Sequence, residues 1–163
     1  MQYLIDASVY VFRAWYSMPD DLVDGDGNPV NAFYGWCRFL GDFVEQVRPE
    51  YVAVLFDESL ASSFRTGIYP QYKANREPAP PALKRQFEHC RVFTHAFGVM
   101  ECAHPTFEAD DLIGTLVAAG RTTGRPSTIV SRDKDLAQLV SREDVFWDFA
   151  GRGRLTYEQI SGA

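Results

Sequence analysis

A chain of 163 residues suits one domain, and 46% hydrophobic content with 12 Phe and 8 Tyr is enough to bury a substantial core. No uninterrupted apolar run is long enough to span a membrane, and Met1-Gln2 leads straight into strand-like Tyr3-Leu4-Ile5 with no leader pattern, so the chain reads as cytoplasmic. The net charge of −6 taken alone argues against a nucleic-acid partner, and the three cysteines, Cys37, Cys90 and Cys102, are odd in number and lack metal-binding spacing, which makes them buried thiols of a reducing compartment.

In chain order, residues 3–7 read as a short strand ending in Asp6-Ala7-Ser8, and residues 9–16 as an aromatic-rich helix. Residues 19–29 form a polar loop whose Asp24-Gly25-Asp26-Gly27-Asn28 is strong turn chemistry. Asn31 is placed to cap a helix running to Val47, with Phe33, Trp36, Phe39, Leu40, Phe43 and Val47 at helical spacing, and Arg48-Pro49 ends it. The continuous apolar run at 51–57 is expected of a strand covered on both faces.

Residues 58–81 are different in kind. They are polar and basic, carry Arg65, Lys73 and Arg76 with Tyr69 and Tyr72, and finish in Pro78-Ala79-Pro80-Pro81. So long a connection with little apolar patterning is a functional or mobile segment, and Lys73 with Arg76 and adjacent Tyr72 would present a cation pair and a ring on one helical turn. A helix over 82–97 closed by Gly98, a third strand at 99–103, a helix over 107–120 capped by Thr106, a fourth strand at 127–131, a short helix over 133–140, a fifth strand at 145–149 and the start of a helix at 157 complete the chain. The alternation predicts an α/β, Rossmann-like three-layer fold in a single domain over 1–163, its mainly parallel sheet of about five strands flanked by helices.

That topology gives the acidic residues their meaning. Asp6, Asp57, Glu108, Asp110, Asp111, Asp133 and Asp135 all fall at strand ends or at the starts of the segments that follow. In a parallel sheet such positions converge on one edge, where open α/β sheets bind ligands. Singly, Asp6, Asp57 and Asp133 read as helix or turn caps. Three acids in the four residues 108–111, with Glu108 and Asp111 a like-charge pair expected to cost helix stability, are harder to account for by capping. The apolar body of that helix is expected to hold these acids against the sheet. No Cys or His joins the cluster, and His104 reads as structural, so the donor set is all oxygen and favours Mg²⁺ or Mn²⁺ over zinc. So many carboxylates suit two ions, about 3.5–4 Å apart, clamping the attacking and leaving oxygens of a phosphoryl displacement. Apart from these acids the remaining surface is near neutral, which permits nucleic acid.

Five stretches carry a family resemblance: Leu4-Ile5-Asp6-Ala7-Ser8 with Arg13-Ala14, Val54-Leu55-Phe56-Asp57, Phe64-Arg65 through Tyr72-Lys73-Ala74-Asn75-Arg76, Glu108-Ala109-Asp110-Asp111-Leu112-Ile113-Gly114-Thr115-Leu116, and Ser131-Arg132-Asp133-Lys134-Asp135-Leu136-Ala137-Gln138-Leu139-Val140. In order and spacing the chain resembles the 5′ nucleases, that is, the 5′-3′ exonuclease domain of bacterial DNA polymerase I, its stand-alone relatives and the flap endonucleases. The resemblance implies Mg²⁺-dependent hydrolysis of DNA bearing a free 5′ end or 5′ flap. It implies Asp6, Asp57, Glu108 and Asp110 towards one ion and Asp111, Asp133 and Asp135 towards a second. It also implies Lys73 and Arg76 on the scissile phosphate from a gateway over 58–81, Tyr72 on the terminal nucleotide, and Arg13 and Arg65 as phosphate contacts. The reacting atoms would be served by Asp6, Asp57, Asp110, Lys73 and Arg76.

The family's later Gly-Asp-x-x-Asp-Asn-like stretch and its K⁺-binding helix-three-turn-helix domain have no counterpart here, so no K⁺ site is expected and cleavage is expected to be weak unless a second chain or a further segment completes the site. Three other readings stand beside this one: a PIN-type ribonuclease, a non-catalytic DNA-binding fragment, and a phosphoacceptor receiver domain with Asp57 as acceptor, which leaves the acids after Thr106 without a role.

Overall fold

A computed structural model describes residues 1–19, 21–57, 80–104, 107–149, 154–156 and 159–160, without the side chains of 154 and 155. Arg65, Tyr72, Lys73, Arg76 and Thr106 therefore lie outside the described residues, as does most of the expected gateway. The elements are β1 (Gln2–Asp6), α1 (Ala7–Ser17), α2 (Asn31–Val47), β2 (Tyr51–Leu55), α3 (Pro81–Ala96), β3 (Met100–Cys102), α4 (Ala109–Thr122), β4 (Ser127–Val130), a 3-10 helix (Lys134–Leu139), β5 (Val145–Trp147) and β6 (Arg154–Thr156).

The sheet order is β3-β2-β1-β4-β5-β6. The first five strands pair in parallel and β6 joins β5 antiparallel, so the fold is the expected α/β one with an edge strand that three residues of weak patterning did not announce. Strand alternation divides the core into two layers. Ile5, Val54 and Val130 face α1, α2 and α3, whose Val11, Trp36, Phe43, Leu83 and Phe87 fill the same cluster. Leu4, Ala53, Leu55 and Ile129 face the other way, onto Ile113 and Val117 of α4 and onto Leu136 and Val140. Central strands are thus apolar at consecutive positions because both faces are covered. No described helix is long and apolar enough to cross a membrane.

One expected cap is not a cap. Asn31 is itself the first helical residue of α2 and is buried; its amide donates to Trp15 O at 3.0 Å and accepts from Gln86 Nε2 at 3.0 Å, tying α1, α2 and α3 together. The residue capping α4 is Glu108, which stands further along the chain than the expected Thr106.

The α1–α2 contact is close. A Cβ added at Gly35 would stand 2.5 Å from Ala14 Cβ, nearer than two carbons approach, so the helices meet where one of them lacks a side chain. Gly35→Ala is expected to cost about 1–3 kcal/mol through forced separation of the helices, measurable as a lowered midpoint of urea unfolding at an unchanged slope.

At the opposite end of the sheet from the strand carboxyl termini, Asp144 is buried and accepts from Ser127 N at 2.8 Å, Ser141 N at 3.0 Å, Ser141 Oγ at 2.9 Å and Arg121 Nη2 at 3.2 Å. Burial alone would raise its pKa; the two backbone N–H groups, the serine hydroxyl and the guanidinium outweigh it and hold the carboxyl below its ordinary value. This acid fixes the entry to β4 against the turn before β5.

Candidate metal centre

Parallel register brings the strand ends together. Ile5 pairs with Val130, so Asp6 and Ser131 emerge side by side, and Ser131 Oγ donates to Asp6 Oδ2 at 2.8 Å. Asp6 pairs with Leu55, which puts Asp57 two residues beyond the ladder on the next strand. The backbone N–H of Asp57 donates to Ser8 Oγ at 3.2 Å, and its Oδ1 accepts from Ala109 N at 2.7 Å. Asp57 therefore ties the end of β2 to the first turn of α1 through its N–H and to the first turn of α4 through its carboxylate, the latter at a helix start whose backbone N–H groups have no helical partner and favour an anion. The Ser131 hydroxyl also accepts from Asp133 N at 2.9 Å, so a single serine links Asp6 to the turn that carries Asp133.

Asp6 is 5% exposed and Asp57 7%. The Asp6 carboxyl is pushed up to about 8, first by loss of hydration on burial and then by the charge of Asp57; the Ser131 hydrogen bond pulls the other way, and Asp133 and Asp110 add to the rise. Asp110 is raised as well, by loss of hydration, then by Asp111 beside it and, more weakly, by Asp57. Asp6, Asp57, Asp110 and Asp133 are thus near enough to feel one another's charge, at the edge where the topology predicts them.

The other three expected ligands stand differently. Glu108 and Asp111 form a reciprocal capping box at the start of α4: Glu108 accepts from Asp111 N, and Asp111 Oδ2 accepts from Glu108 N at 3.2 Å. The like-charge pair expected to cost stability instead satisfies two orphan donors. Asp111 is exposed and is not held against the sheet as expected, whereas Asp110, exposed as a residue, keeps its carboxyl near enough to the sheet edge to feel Asp57. Asp133 is a cap too, its Oδ1 accepting from Asp135 N at 3.0 Å, and Asp135 is exposed one residue into the 3-10 helix.

An all-oxygen donor set with a buried carboxyl raised by its neighbours fits a hard divalent cation, which would relieve the repulsion. Among the described residues, no three His, Cys, Asp or Glu side chains are gathered tightly enough to enclose an ion as they stand. Ser8 and Ser131, both fully buried, were not singled out from the sequence as site residues; their signal was a small polar residue two positions from an acid at a strand end. Asp148 was also missed. It is buried next to this edge, accepting from Tyr10 Oη at 3.2 Å and pairing with Arg132 Nε at 3.5 Å.

Residues 1–160 match the family model described as 5′-3′ exonuclease, N-terminal resolvase-like domain. The chain belongs to that family. Among curated members, DNA polymerase I of Rhizobium leguminosarum is 40% identical over 146 residues, which is 85% of this chain and 14% of the polymerase. The 5′-3′ exonuclease of Aquifex aeolicus is 37% identical over 139 residues, 85% of this chain and 47% of that protein. The family chain here thus spans less than half the length of the exonuclease and a small part of the polymerase. The fold is also that of the phage T5 enzyme: the T5 protein co-crystallised with metal ions superposes with a TM-score of 0.67 at 16% identity, over 99% of this chain and 59% of that one. The T5 flap endonuclease in a pseudo-enzyme-product complex with DNA and metal ions gives 0.61 at 16% identity, over 99% and 59%.

Proposed function

We propose that this family member is a divalent-metal-dependent 5′ nuclease that hydrolyses phosphodiester bonds of DNA with a 5′ end or 5′ flap. The observation that carries the reading is Asp6: a buried carboxyl at the end of the central strand, raised towards 8 in the company of Asp57, Asp133 and Asp110. A charge arrangement so unfavourable to the metal-free chain is one that a bound cation stabilises. The names of the relatives and of the T5 complexes point the same way.

In this reading Mg²⁺ or Mn²⁺, two ions when the site is full, supplies hydroxide near neutral pH and offsets charge on the phosphate. Asp6, Asp57, Glu108 and Asp110 hold one ion, and Asp111, Asp133 and Asp135 the other. Ser131 orients Asp6 and the turn to Asp133; the Ala109 N–H orients Asp57. Lys73 and Arg76 grip the scissile phosphate from a gateway over 58–81, Tyr72 stacks on the terminal nucleotide, and Arg13 and Arg65 hold flanking phosphates. The 163 residues form one catalytic unit in the cytoplasm.

Incubating the chain with a 5′-flap DNA and with single-stranded RNA of the same sequence, in Mg²⁺, tests the substrate class. Flap cleavage with intact RNA is expected. Preferential loss of the RNA would replace this reading with a PIN-type ribonuclease, and binding of flap DNA without hydrolysis of either would make the chain a DNA-binding fragment.

A further inference from the structure

Asp148 is a buried carboxylate beside the acid edge that the reaction above does not use. Its two oxygens have different partners: Oδ1 accepts from Tyr10 Oη at 3.2 Å, and Oδ2 pairs with Arg132 Nε at 3.5 Å. Tyr10 lies on α1 one helical turn beyond Asp6, its ring stacked on Phe39 with centroids 4.1 Å apart, so its hydroxyl has little freedom to turn away. Burial and the neighbouring Asp148 raise the Tyr10 hydroxyl, which keeps it protonated and donating. Arg132 sits between Ser131 and Asp133, and Ser131 N–H donates to Trp147 O at 3.2 Å, next to Asp148 in sequence. The turn carrying Asp133 is thus held from two sides: by the Ser131 hydroxyl on Asp6, and by the Arg132 guanidinium on Asp148. Removing the second hold would leave the side of the turn beyond Ser131 without its side-chain tie to the end of β5.

We propose that Asp148, oriented by Tyr10 and paired with Arg132, is a positioning residue that fixes the Asp133 carboxylate relative to Asp6 and thereby sets the affinity of this edge for a divalent cation. The inference rests on the metal-dependent reading above. A carboxylate that touches no ion can act in this way because outer partners lock the orientation of the groups that do, and their loss characteristically weakens metal binding about 10–100-fold. Arg132 has a side chain 39% exposed, so its removal leaves no buried void, and Asp148→Asn keeps an acceptor for Tyr10.

The test is Mn²⁺ binding to the 163-residue chain by calorimetry, with the melting temperature of each metal-free variant recorded alongside. Arg132→Met and Asp148→Asn are each expected to weaken Mn²⁺ binding about 10-fold or more, the double variant no further than either single one, and Arg132→Lys to recover part of the loss. Arg121→Met breaks an ion pair of the same kind on Asp144, away from this edge, and is expected to lower the melting temperature with Mn²⁺ affinity unchanged. Wild-type affinity in Arg132→Met and Asp148→Asn, or an equal loss in Arg121→Met, overturns the positioning role while leaving the nuclease reading intact. A wild-type chain that binds no Mn²⁺ overturns both.

Discussion

Asp6→Asn is expected to abolish cleavage and to stabilise the metal-free protein at the same time. Removing a charge that holds a catalytic cation removes several kcal/mol of transition-state stabilisation, so the rate on a 5′-flap substrate should fall by about 10³-fold or more. Stability should move the other way. The folded Asp6 carboxyl stands near 8 against an ordinary 3.8, raised by burial first and by Asp57 next. A pKa raised on folding means the native state prefers the protonated form. The stability associated with that proton is fully present below pH ~4, is lost progressively as pH rises towards 8, and changes no further above it. At pH 8.5 the wild-type chain therefore carries a buried, repelled carboxylate at a cost of a few kcal/mol. Asparagine has the same shape, carries no charge, and can still accept from the Ser131 hydroxyl. Thermal unfolding in EDTA should show Asp6→Asn melting several degrees above wild type at pH 8.5, with the gap closing by pH 4. Added Mn²⁺ should raise the wild-type midpoint more than that of the variant. A variant that melts below wild type at pH 8.5 would sink this account of the acid edge.

The largest loss of stability is expected at Asp144. Asp144→Ala leaves the buried Ser127 N–H, the part-buried Ser141 N–H and hydroxyl, and the half-exposed Arg121 guanidinium without their shared acceptor. Breaking a buried network from one side costs about 3–5 kcal/mol, a fall in melting temperature of roughly 10 °C or more for a domain of this size. The pH dependence has the opposite sign to that of Asp6. The Asp144 pKa is lowered on folding, so its contribution is present above the ordinary carboxylate value and disappears as the solution is acidified below it. The wild type and Asp144→Ala should therefore differ most at neutral pH and converge in acid, as followed by circular dichroism. Equal stabilities at pH 7 would contradict the role assigned to this carboxylate.

The strands and main helices were legible because their signals are strong. The runs at 3–5 and 51–56 are apolar at successive positions, as strands buried on both faces must be, and the ends of α2 follow from its apolar spacing and from Arg48-Pro49. The convergence of Asp6, Asp57, Asp110 and Asp133 followed from topology, since parallel strands place their carboxyl ends on one edge. What was not legible depended on side-chain direction. Sequence spacing makes Glu108 and Asp111 a repelling pair; the backbone at the start of α4 turns each towards the other's N–H. Asn31 carries the composition of a cap but finds Trp15 O and Gln86, contacts made by residues distant in sequence. Asp144 and Asp148 flank a short strand and look like loop acids, and only the packing of β4 against β5 makes them buried anchors.

The central claim is that this edge of the sheet hydrolyses DNA through a divalent cation held by its carboxylates. The most direct measurement follows release of a label from the 5′ end of flap DNA by the 163-residue chain, in Mg²⁺, Mn²⁺ or EDTA, beside Asp57→Asn. Asp57 is suited to the comparison because its carboxylate joins the β2 end to the first turn of α4 and lies among the acids around Asp6. Release in either metal, abolished by EDTA and reduced about 10³-fold or more in Asp57→Asn, is the result expected. Cleavage that persists in EDTA, or that Asp57→Asn performs as well as wild type, would contradict it.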